Sequence, residues 1–348
     1  MSDNSTTPLH SLTPYQPSKV LPIVFAVLIA LSLSIHTIQS FRYRFWRVTF
    51  FVFYANMVFM TGWILRAVFS HTPLNLPLYI GQTILIYAGP PIFAAVEYNI
   101  LGRLMQYVPM HAPLHPARLV IVFVYLGALV EALTGAGAGK LAKSTPGTTK
   151  YINGGTLIAI SLVLQGVVEF AFVSMVALIH YRCAKAEMLP RNITVICITL
   201  YGSSSLVLLR CVFRAVEAFT TYTHSCSGGS CGSIVTNEWY LYVFEATPML
   251  LYTLWLNLFH PGRFLPRNYK RYLDIDGGTE RIGPGWIDER PMLLTVADPF
   301  NWQNDARGGQ KYWTSPEKYT VCEDGSFALG SASNTSAAEK KQLVHRAV

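Results

Sequence analysis

Residues 210–262 read RCVFRAVEAFTTYTHSCSGGSCGSIVTNEWYLYVFEATPMLLYTLWLNLFHPG. Two long apolar segments here carry charged residues at or inside their hydrophobic parts, namely Arg210, Arg214, Glu217, Glu238 and Glu245. A charge near the centre of a membrane helix costs about 2.5–3.5 kcal/mol on insertion scales. Such charges are tolerated when they pair or face water, so the stretch predicts a polar cluster inside a membrane protein.

The composition of the whole chain also favours a membrane protein. Of its 348 residues, 51% are hydrophobic and only 13% are charged, the mean hydropathy is +0.33, and a typical soluble domain has about 25% charged residues. The net charge of +8 comes from Lys and Arg in short loops, a pattern that sets membrane orientation and does not indicate nucleic-acid binding. The first apolar run is long enough to span, which predicts an uncleaved anchor.

Seven apolar runs are long enough to cross a bilayer, which takes about 20 residues per helix. Because backbone groups must be satisfied within lipid, the runs predict an all-α, polytopic fold. The predicted spans are 20–40, 47–69, 77–102, 117–136, 155–181, 193–219 and 236–260. The expected organisation is an outer N-terminal segment 1–19, a seven-helix membrane domain 20–265, and a mostly disordered cytoplasmic tail 266–348, rich in Gly, Ser, Asp, Lys and Pro.

The basic residues predict that the N-terminus lies outside and the C-terminus lies in the cytoplasm. In this orientation twelve Lys and Arg residues flank the inner helix ends, and four lie outside. Three of those four, Lys140, Lys143 and Lys150, share one outer loop and argue against the assignment, but they are outnumbered.

Two features of the predicted outer face agree with this orientation. Asn4 begins an Asn-Ser-Thr acceptor sequence for glycosylation. Cys226 and Cys231 flank the sequence SGGS in an outer loop, where a disulfide can persist. Two free thiols on a flexible loop are the alternative to that disulfide.

The charges of the opening stretch fall on shared helix faces. Arg210, Arg214 and Glu217 are spaced i, i+4 and i+7, within an arc of about 60° on a helix. Two further glutamates are seven apart on the last helix, and an arginine and a glutamate lie at similar depth on helices two and four. The predicted cluster is Arg66, Glu131, Arg210, Arg214, Glu217, Glu238 and Glu245. It indicates a polar pocket open to the outer side, or an ion-pair network that only locks the bundle.

Three more polar residues lie inside predicted helices. Gln165 and Glu169 are one turn apart near the middle of helix five. An acid at that depth indicates a proton relay or a partner for a cationic substrate, and a protonated, hydrogen-bonded Glu is the alternative. Glu97 falls towards the inner end of helix three, where its carboxylate is expected to reach the inner interface.

The chain carries no sequence signature of a nucleotide or metal site. The run GAGAGK at 135–140 has Leu141 where a P-loop needs Ser or Thr. His36, His180 and His260 fall near inner helix ends without supporting ligands, so interfacial histidines are expected there. We therefore expect neither a cofactor nor a metal.

Several motifs resemble the fungal RTA-like family, also called lipid-translocating exporters. They are R-x₃-R-x₂-E at 210–217, E-W-Y-x-Y-V-F-E-A-x-P-M at 238–249 and H-P-G at 260–262, with support from Tyr98, L-G-R at 101–103 and Gln165. The resemblance covers about residues 20–265. It implies seven helices and the export or flipping of sphingoid long-chain bases or toxic amphiphiles such as aminosterols.

Three positions depart from the family pattern. The fourth helix of the family usually carries Asp where Gly127 stands and Gln where Thr134 stands, and Glu245 replaces the usual Asp of the seventh helix. Glu131 lies one turn from Gly127 and could supply the missing acid on the same face.

The function expected from the residues and the resemblance is export of a cationic amphiphilic lipid, without enzymatic activity. Arg210 and Arg214 would keep the acids of the empty site ionised, and Glu169 would carry a coupling proton. The acids expected to attract the lipid amine are Glu131, Glu217, Glu238 and Glu245.

Two other classes of function remain open from the sequence. A seven-helix lipid sensor or receptor would bind the same lipids and signal through its inner loops. An intramembrane hydrolase is the less favoured alternative. The expected partners are membrane lipids or amphiphilic small molecules and not nucleic acid, and the expected location is the plasma membrane, with the endoplasmic reticulum or another endomembrane as the alternative.

Overall fold

Long helices dominate the computed structural model of the chain, which describes residues 13, 15–142, 149–222, 233–286, 298 and 312–322. Six of the helices are long and apolar enough to cross a membrane, so the chain is an integral membrane protein. They are α1 Leu21–Tyr43, α2 Trp46–His71, α3 Leu76–Tyr107, α4 Pro116–Ala142, α5 Thr149–Lys185 and α6 Arg191–Tyr222.

The last predicted span corresponds to shorter helical pieces. A short helix α7, Ser233–Thr236, precedes a continuous helical run at 239–258, made of α8 Trp239–Leu241, a π-helical turn Tyr242–Ala246 and α9 Thr247–Leu258. The hydroxyl of Thr247 donates to the carbonyl of Tyr242 at 2.9 Å across the π turn. A π turn inside a helix is frequently found at a functional site, and this one contains Glu245.

The helices pack mainly on their neighbours in the sequence, and α9 closes the bundle against α1 and α6. Central α3 contacts α2, α4 and α6. Gly202 of α6 permits a close approach to α9, because a Cβ there would lie 2.6 Å from the Trp255 ring. Many large apolar side chains stay exposed on the outer helix faces, as expected for surfaces that contact lipid.

Polar contacts join α1 to the end of α9. The Asn257 amide donates to the Ser32 hydroxyl at 2.8 Å, and its oxygen lies 3.0 Å from Nδ1 of His36. His36 and His260 are almost completely buried, with ring centroids 5.2 Å apart. The expectation of interfacial histidines is therefore wrong for these two, because the packing of α1 on α9 encloses both rings.

Part of the predicted disordered tail forms a small sheet. Strands β1 Arg271–Leu273, β2 Glu280–Ile282 and β3 Thr320–Val321 pair antiparallel in that order, with Leu273 opposite Glu280. The sheet lies against the end of α3, where the hydroxyl of Tyr107 donates to Glu280 at 2.6 Å. Residues 287–297, 299–311 and 323–348 of the tail lie outside the described residues.

The turn between β1 and β2 is held by a carboxylate. Asp276 accepts hydrogen bonds from the backbone N–H of Gly278 at 3.0 Å and of Thr279 at 2.8 Å. Partial burial opposes ionisation of this carboxyl, but the hydrogen bonds from Thr279 and Gly278 outweigh it and lower the pKa of Asp276. Gly277 occupies the left-handed region of the turn at φ +67°.

Candidate functional site

A cavity of about 190 Å³ lies among the C-terminal halves of α2, α4 and α6, the N-terminal half of α3, and α5. The N-terminal segment contributes Thr13 and Tyr15 to its wall. Six residues singled out in the sequence line it: Arg66, Glu131, Gln165, Arg210, Arg214 and Glu217. Glu238 and Glu245 lie outside the lining and bind its arginines.

Glu245 joins α6 to the helical run 239–258 through two arginines of the cavity wall. It is completely buried, and its two oxygens both lie 3.0 Å from Nε of Arg210. Nε of Arg214 donates to the same carboxylate at 2.7 Å. Two buried guanidinium groups therefore neutralise and hydrogen-bond one buried carboxylate. A buried charge needs such partners to offset the free energy lost when it leaves water.

Arg214 also binds groups at the side of the cavity. Its guanidinium carbon lies 4.1 Å from the centroid of the Tyr87 ring, and its NH1 nitrogen donates to the Tyr87 hydroxyl at 2.9 Å. The same nitrogen forms a salt bridge with Glu217, one turn further along α6. Glu217 keeps 26% of its side chain exposed, so this pair is in contact with the open part of the cavity.

A second ion pair lies nearer the mouth. The NH2 nitrogen of Arg66 donates to Glu238 at 2.6 Å and to the Tyr15 hydroxyl at 3.1 Å. Glu238 also accepts from the Tyr242 hydroxyl at 3.0 Å and from the backbone N–H of Ser18 at 2.7 Å. Tyr15 and Ser18, in the segment before α1, are therefore hydrogen-bonded to this ion pair, and the segment lies across the end of the bundle beside the cavity.

Glu131 differs from the other acids of the cluster. It is half-buried on the wall, and among the described residues it forms neither a salt bridge nor a hydrogen bond. Arg210 is close enough to interact with it electrostatically, but Nε of Arg210 is held by Glu245. Glu131 is therefore the carboxylate of the cavity that is available to an added cation.

Gln82 of α3 is a lining residue that the sequence reasoning missed. Its side chain is 1% exposed, and neither amide atom has a hydrogen-bond partner among the described residues. A buried amide without partners favours a polar occupant of the space it faces. Its signal in the sequence was a lone glutamine in an apolar run, at the same end of the bundle as Arg66.

The charges around the cavity nearly balance. Arg66, Arg210 and Arg214 face four carboxylates, those of Glu131, Glu217, Glu238 and Glu245, which leaves a formal charge of −1. The surplus negative charge coincides with Glu131, which has no salt-bridge or hydrogen-bond partner among the described residues. The arrangement therefore suits one positively charged group.

Glu169 lies deeper in the bundle and faces Glu97 of α3. The two carboxyl groups are close enough to interact electrostatically, and the Ser204 hydroxyl donates to Glu97 at 2.8 Å. Both side chains are at most 1% exposed, so the expectation that Glu97 reaches the inner interface is wrong. Gln165 lines the cavity one helical turn from this pair.

Some sequence predictions fall on residues that the structure does not describe. Asn4 and the pair Cys226 and Cys231 lie outside the described residues, so the glycosylation site and the disulfide stay predictions. Across the described ranges, no three His, Cys, Asp or Glu side chains are grouped as metal ligands.

Sequence comparison identifies relatives in fungi. A family model described as RTA1 like protein matches residues 23–268. A "Lipid-translocating exporter-like protein RTA1" of Leptosphaeria maculans is 36% identical over 303 residues, 83% of this chain and 58% of that protein. A protein of the same name in Ajellomyces capsulatus is 32% identical over 69% of this chain and 76% of its own length.

A third relative carries a different name. "Protoporphyrin uptake protein 1" of Saccharomyces cerevisiae is 30% identical over 279 residues, 68% of this chain and 88% of that protein. The chain spans less than two thirds of the length of the Leptosphaeria relative. No solved structure matches the chain significantly. The family match covers more than half of the chain and includes the helices that form the charged cavity, so this membrane protein belongs to the RTA1-like family.

Proposed function

We propose that this chain is a transporter that exports amphiphilic lipids with a cationic amine, such as sphingoid long-chain bases or toxic amphiphiles. Relatives named as lipid-translocating exporters support a lipid-transport role. The observation that carries the choice of substrate is Glu131, which forms no ion pair within the described part of the chain, in a cavity whose other acids are paired or exposed. Transport of this kind makes and breaks no covalent bond, so no enzymatic step is part of the proposal.

The proposed topology has seven spans, with the N-terminus outside and the C-terminus in the cytoplasm. Residues 239–258 form a helical run of 20 residues, about the length that a bilayer requires, and serve as the seventh span. The excess of Lys and Arg at the opposite end of the bundle supports this orientation. The plasma membrane is the location that we propose, because an exporter of toxic amphiphiles acts at the cell boundary.

The size of the cavity suggests which part of the lipid enters it. Pockets that enclose drug-sized ligands have volumes of about 300–1,000 Å³, and this one has about 190 Å³. We infer that it receives the polar headgroup while the hydrocarbon tail stays in the bilayer. Glu131 would pair with the amine, and Gln82 would bind the hydroxyl groups of the headgroup.

The paired acids have a different role in this proposal. Glu245 is fully engaged by two arginines, and Glu238 accepts from three donors, so neither is free to bind an amine. They fix the helices that form the cavity. Of the four glutamates expected to attract the amine, Glu131 is therefore the one that we propose to bind it. Glu217, which is partly exposed at the rim of the cavity, is paired with Arg214.

The carboxyl pair of Glu97 and Glu169 is the group that we propose to carry a proton during transport. The pair is buried and lies one helical turn from the cavity, through Gln165. Ionisable residues inside membrane helices commonly form proton pathways. Entry of a cation at Glu131 could then be balanced by release of this proton.

The substitution Glu131→Gln tests the proposed substrate site. It keeps the shape of the side chain and removes the unpaired charge, so we expect normal protein levels and roughly 10- to 100-fold slower export of a long-chain amine. Export is measured from intact cells with a labelled sphingoid base, on protein matched for surface level. Glu187→Gln, which removes an exposed glutamate between α5 and α6, is the matched control.

Two results would contradict the proposal. Normal export of the amine by the Glu131→Gln variant would show that the binding group lies elsewhere. Saturable binding of the amine by the parent protein, without any movement across the membrane, would favour the sensor function over transport.

A further inference from the structure

A second, open cavity of about 830 Å³ lies at the end of the bundle opposite the ion-pair cavity. It is enclosed by the turn between α1 and α2 and by residues 267–270, which follow α9 in the chain. Four basic residues line it: Arg44, Arg47, Arg267 and Lys270. In the part of the chain that the structure describes, none of the four forms a salt bridge with a carboxylate.

The wall formed by residues 266–270 is held in place by buried contacts. The guanidinium of Arg103, which is 2% exposed, donates to the backbone carbonyls of Pro266 and Asn268. The centroid of the Tyr269 ring lies 4.4 Å from the guanidinium carbon of Arg103. The same centroid lies 5.5 Å from the guanidinium carbon of Arg47. The basic side chains are therefore presented by an ordered segment.

Membrane orientation alone does not account for this arrangement. The positive-inside pattern requires Lys and Arg in the inner loops, but it does not require residues from two distant parts of the chain to line one cavity. The nearby acids of the small sheet are occupied, since Asp274 pairs with Arg281 and Glu280 pairs with Arg271. Among the described residues, the cavity thus concentrates positive charge without an acid that pairs with it.

The edge of the cavity is close to the lipid surface of the bundle. Phe41, near the end of α1, is 66% exposed, and its ring packs edge-on against Trp46 of the cavity wall at 4.9 Å between centroids. Tryptophan is enriched at the level of the lipid headgroups. A ligand in the cavity could therefore keep an acyl chain in the bilayer.

We propose that this cavity binds the phosphorylated headgroup of an anionic lipid. Guanidinium groups bind phosphate oxygens through paired hydrogen bonds, and basic pockets beside membrane helices are suited to such headgroups. The volume exceeds what a single phosphate ion occupies, which fits a headgroup with a polyol ring, such as inositol, and more than one phosphate. The site is separate from the ion-pair cavity and does not depend on lipid export.

Binding to the purified full-length chain in detergent tests this proposal. The probes are a fluorescent dioctanoyl phosphatidylinositol bisphosphate, dioctanoyl phosphatidylcholine, and soluble inositol trisphosphate. We expect the anionic lipid to bind most tightly, and the double variant R44A/R267A to bind it roughly 30-fold more weakly. The matched control is R182A/K185A, which removes two exposed charges from the end of α5 at the same face and should bind like the parent.

Thermal unfolding without ligand checks that each variant is folded. If R44A/R267A does not fold, R47A/K270A removes the other two charges and carries the same expectation. Equal binding by the folded pocket variant and the control would overturn the proposal, and so would equal affinity for phosphatidylcholine. Equal affinity for soluble inositol trisphosphate would identify a free phosphate compound as the ligand and overturn the lipid assignment. Each of these results is independent of whether the chain exports an amine.

Discussion

At the scale of single residues, the buried carboxylate of Glu245 is the group on which the charged cluster depends. Glu245→Leu would leave Arg210, which is 2% exposed, without a carboxylate partner, while Arg214 would keep Glu217 and Tyr87. Removing one partner of a buried ion pair costs about 3–5 kcal/mol. We therefore expect a strong fall in thermal stability and in the yield of solubilised protein.

The double variant R210L/E245L separates structure from function at this site. It removes both charges of the pair, so much of the lost stability should return. Export of the amine should stay low, because the substitution of Arg210 would change the charge and shape of the cavity wall. A Glu245→Leu variant as stable as the parent would show that the cluster is hydrated and not buried.

At the scale of single residues, helical spacing predicts which side chains share a face but not how deeply each of them is buried. Glu238 and Glu245 each form a salt bridge with an arginine of another helix, while their role in binding stays a prediction. The sequence could not show that Glu131 stays unpaired, because pairing depends on how far side chains reach between helices. Glu97 was placed too near the interface because α3 continues ten residues beyond it, to Tyr107.

At the scale of helices, the Glu97–Glu169 pair joins α3 to α5, and Ser204 of α6 extends the contact. Replacement of either glutamate by glutamine keeps the size of the side chain and removes one of the two ionisable groups of the pair. We expect Glu97→Gln and Glu169→Gln to fold normally and to export the amine at a rate that no longer responds to a pH difference across the membrane.

This helix-scale prediction is measured in sealed vesicles at several imposed pH differences, with protein amounts matched. Ser204→Ala is the control, since it weakens the contact without removing a carboxyl proton. Vesicles in which both glutamine variants respond to pH like the parent would show that the pair is a structural contact.

Helix existence was predictable from the apolar runs, but the ends of helices and the tail were not. The predicted run 155–181 lies within the longer α5, Thr149–Lys185, because a helix continues into polar residues once its apolar part is packed. The strands β1 to β3 have only two or three residues each, too short for an alternating pattern to show. They are stabilised by distant contacts such as that of Tyr107 with Glu280, which a local pattern cannot reveal.

At the scale of the whole molecule, the two cavities lie at opposite ends of the bundle and differ in charge. The ion-pair cavity has a formal charge of −1 and is covered by the segment before α1, whereas the second cavity is lined by four basic residues. A negative site facing outside suits the release of a cationic lipid, and a basic site facing the cytoplasm meets the leaflet richest in anionic lipids. Both proposals therefore favour the same orientation of the chain.

Glycosylation measures this orientation directly. With the N-terminus outside, the chain expressed in a glycosylating eukaryotic host should carry a glycan on Asn4, and the variant Asn4→Gln should lose the corresponding mass. An acceptor sequence inserted after Val348 should stay unmodified, because an odd number of spans would place it in the cytoplasm. The native acceptor sequence at Asn334 serves as an internal control on the same side. A glycan on the C-terminal acceptor with none on Asn4 would show that the chain has the opposite orientation. Glycans at both ends would show that the number of spans is even and that residues 239–258 do not cross the membrane.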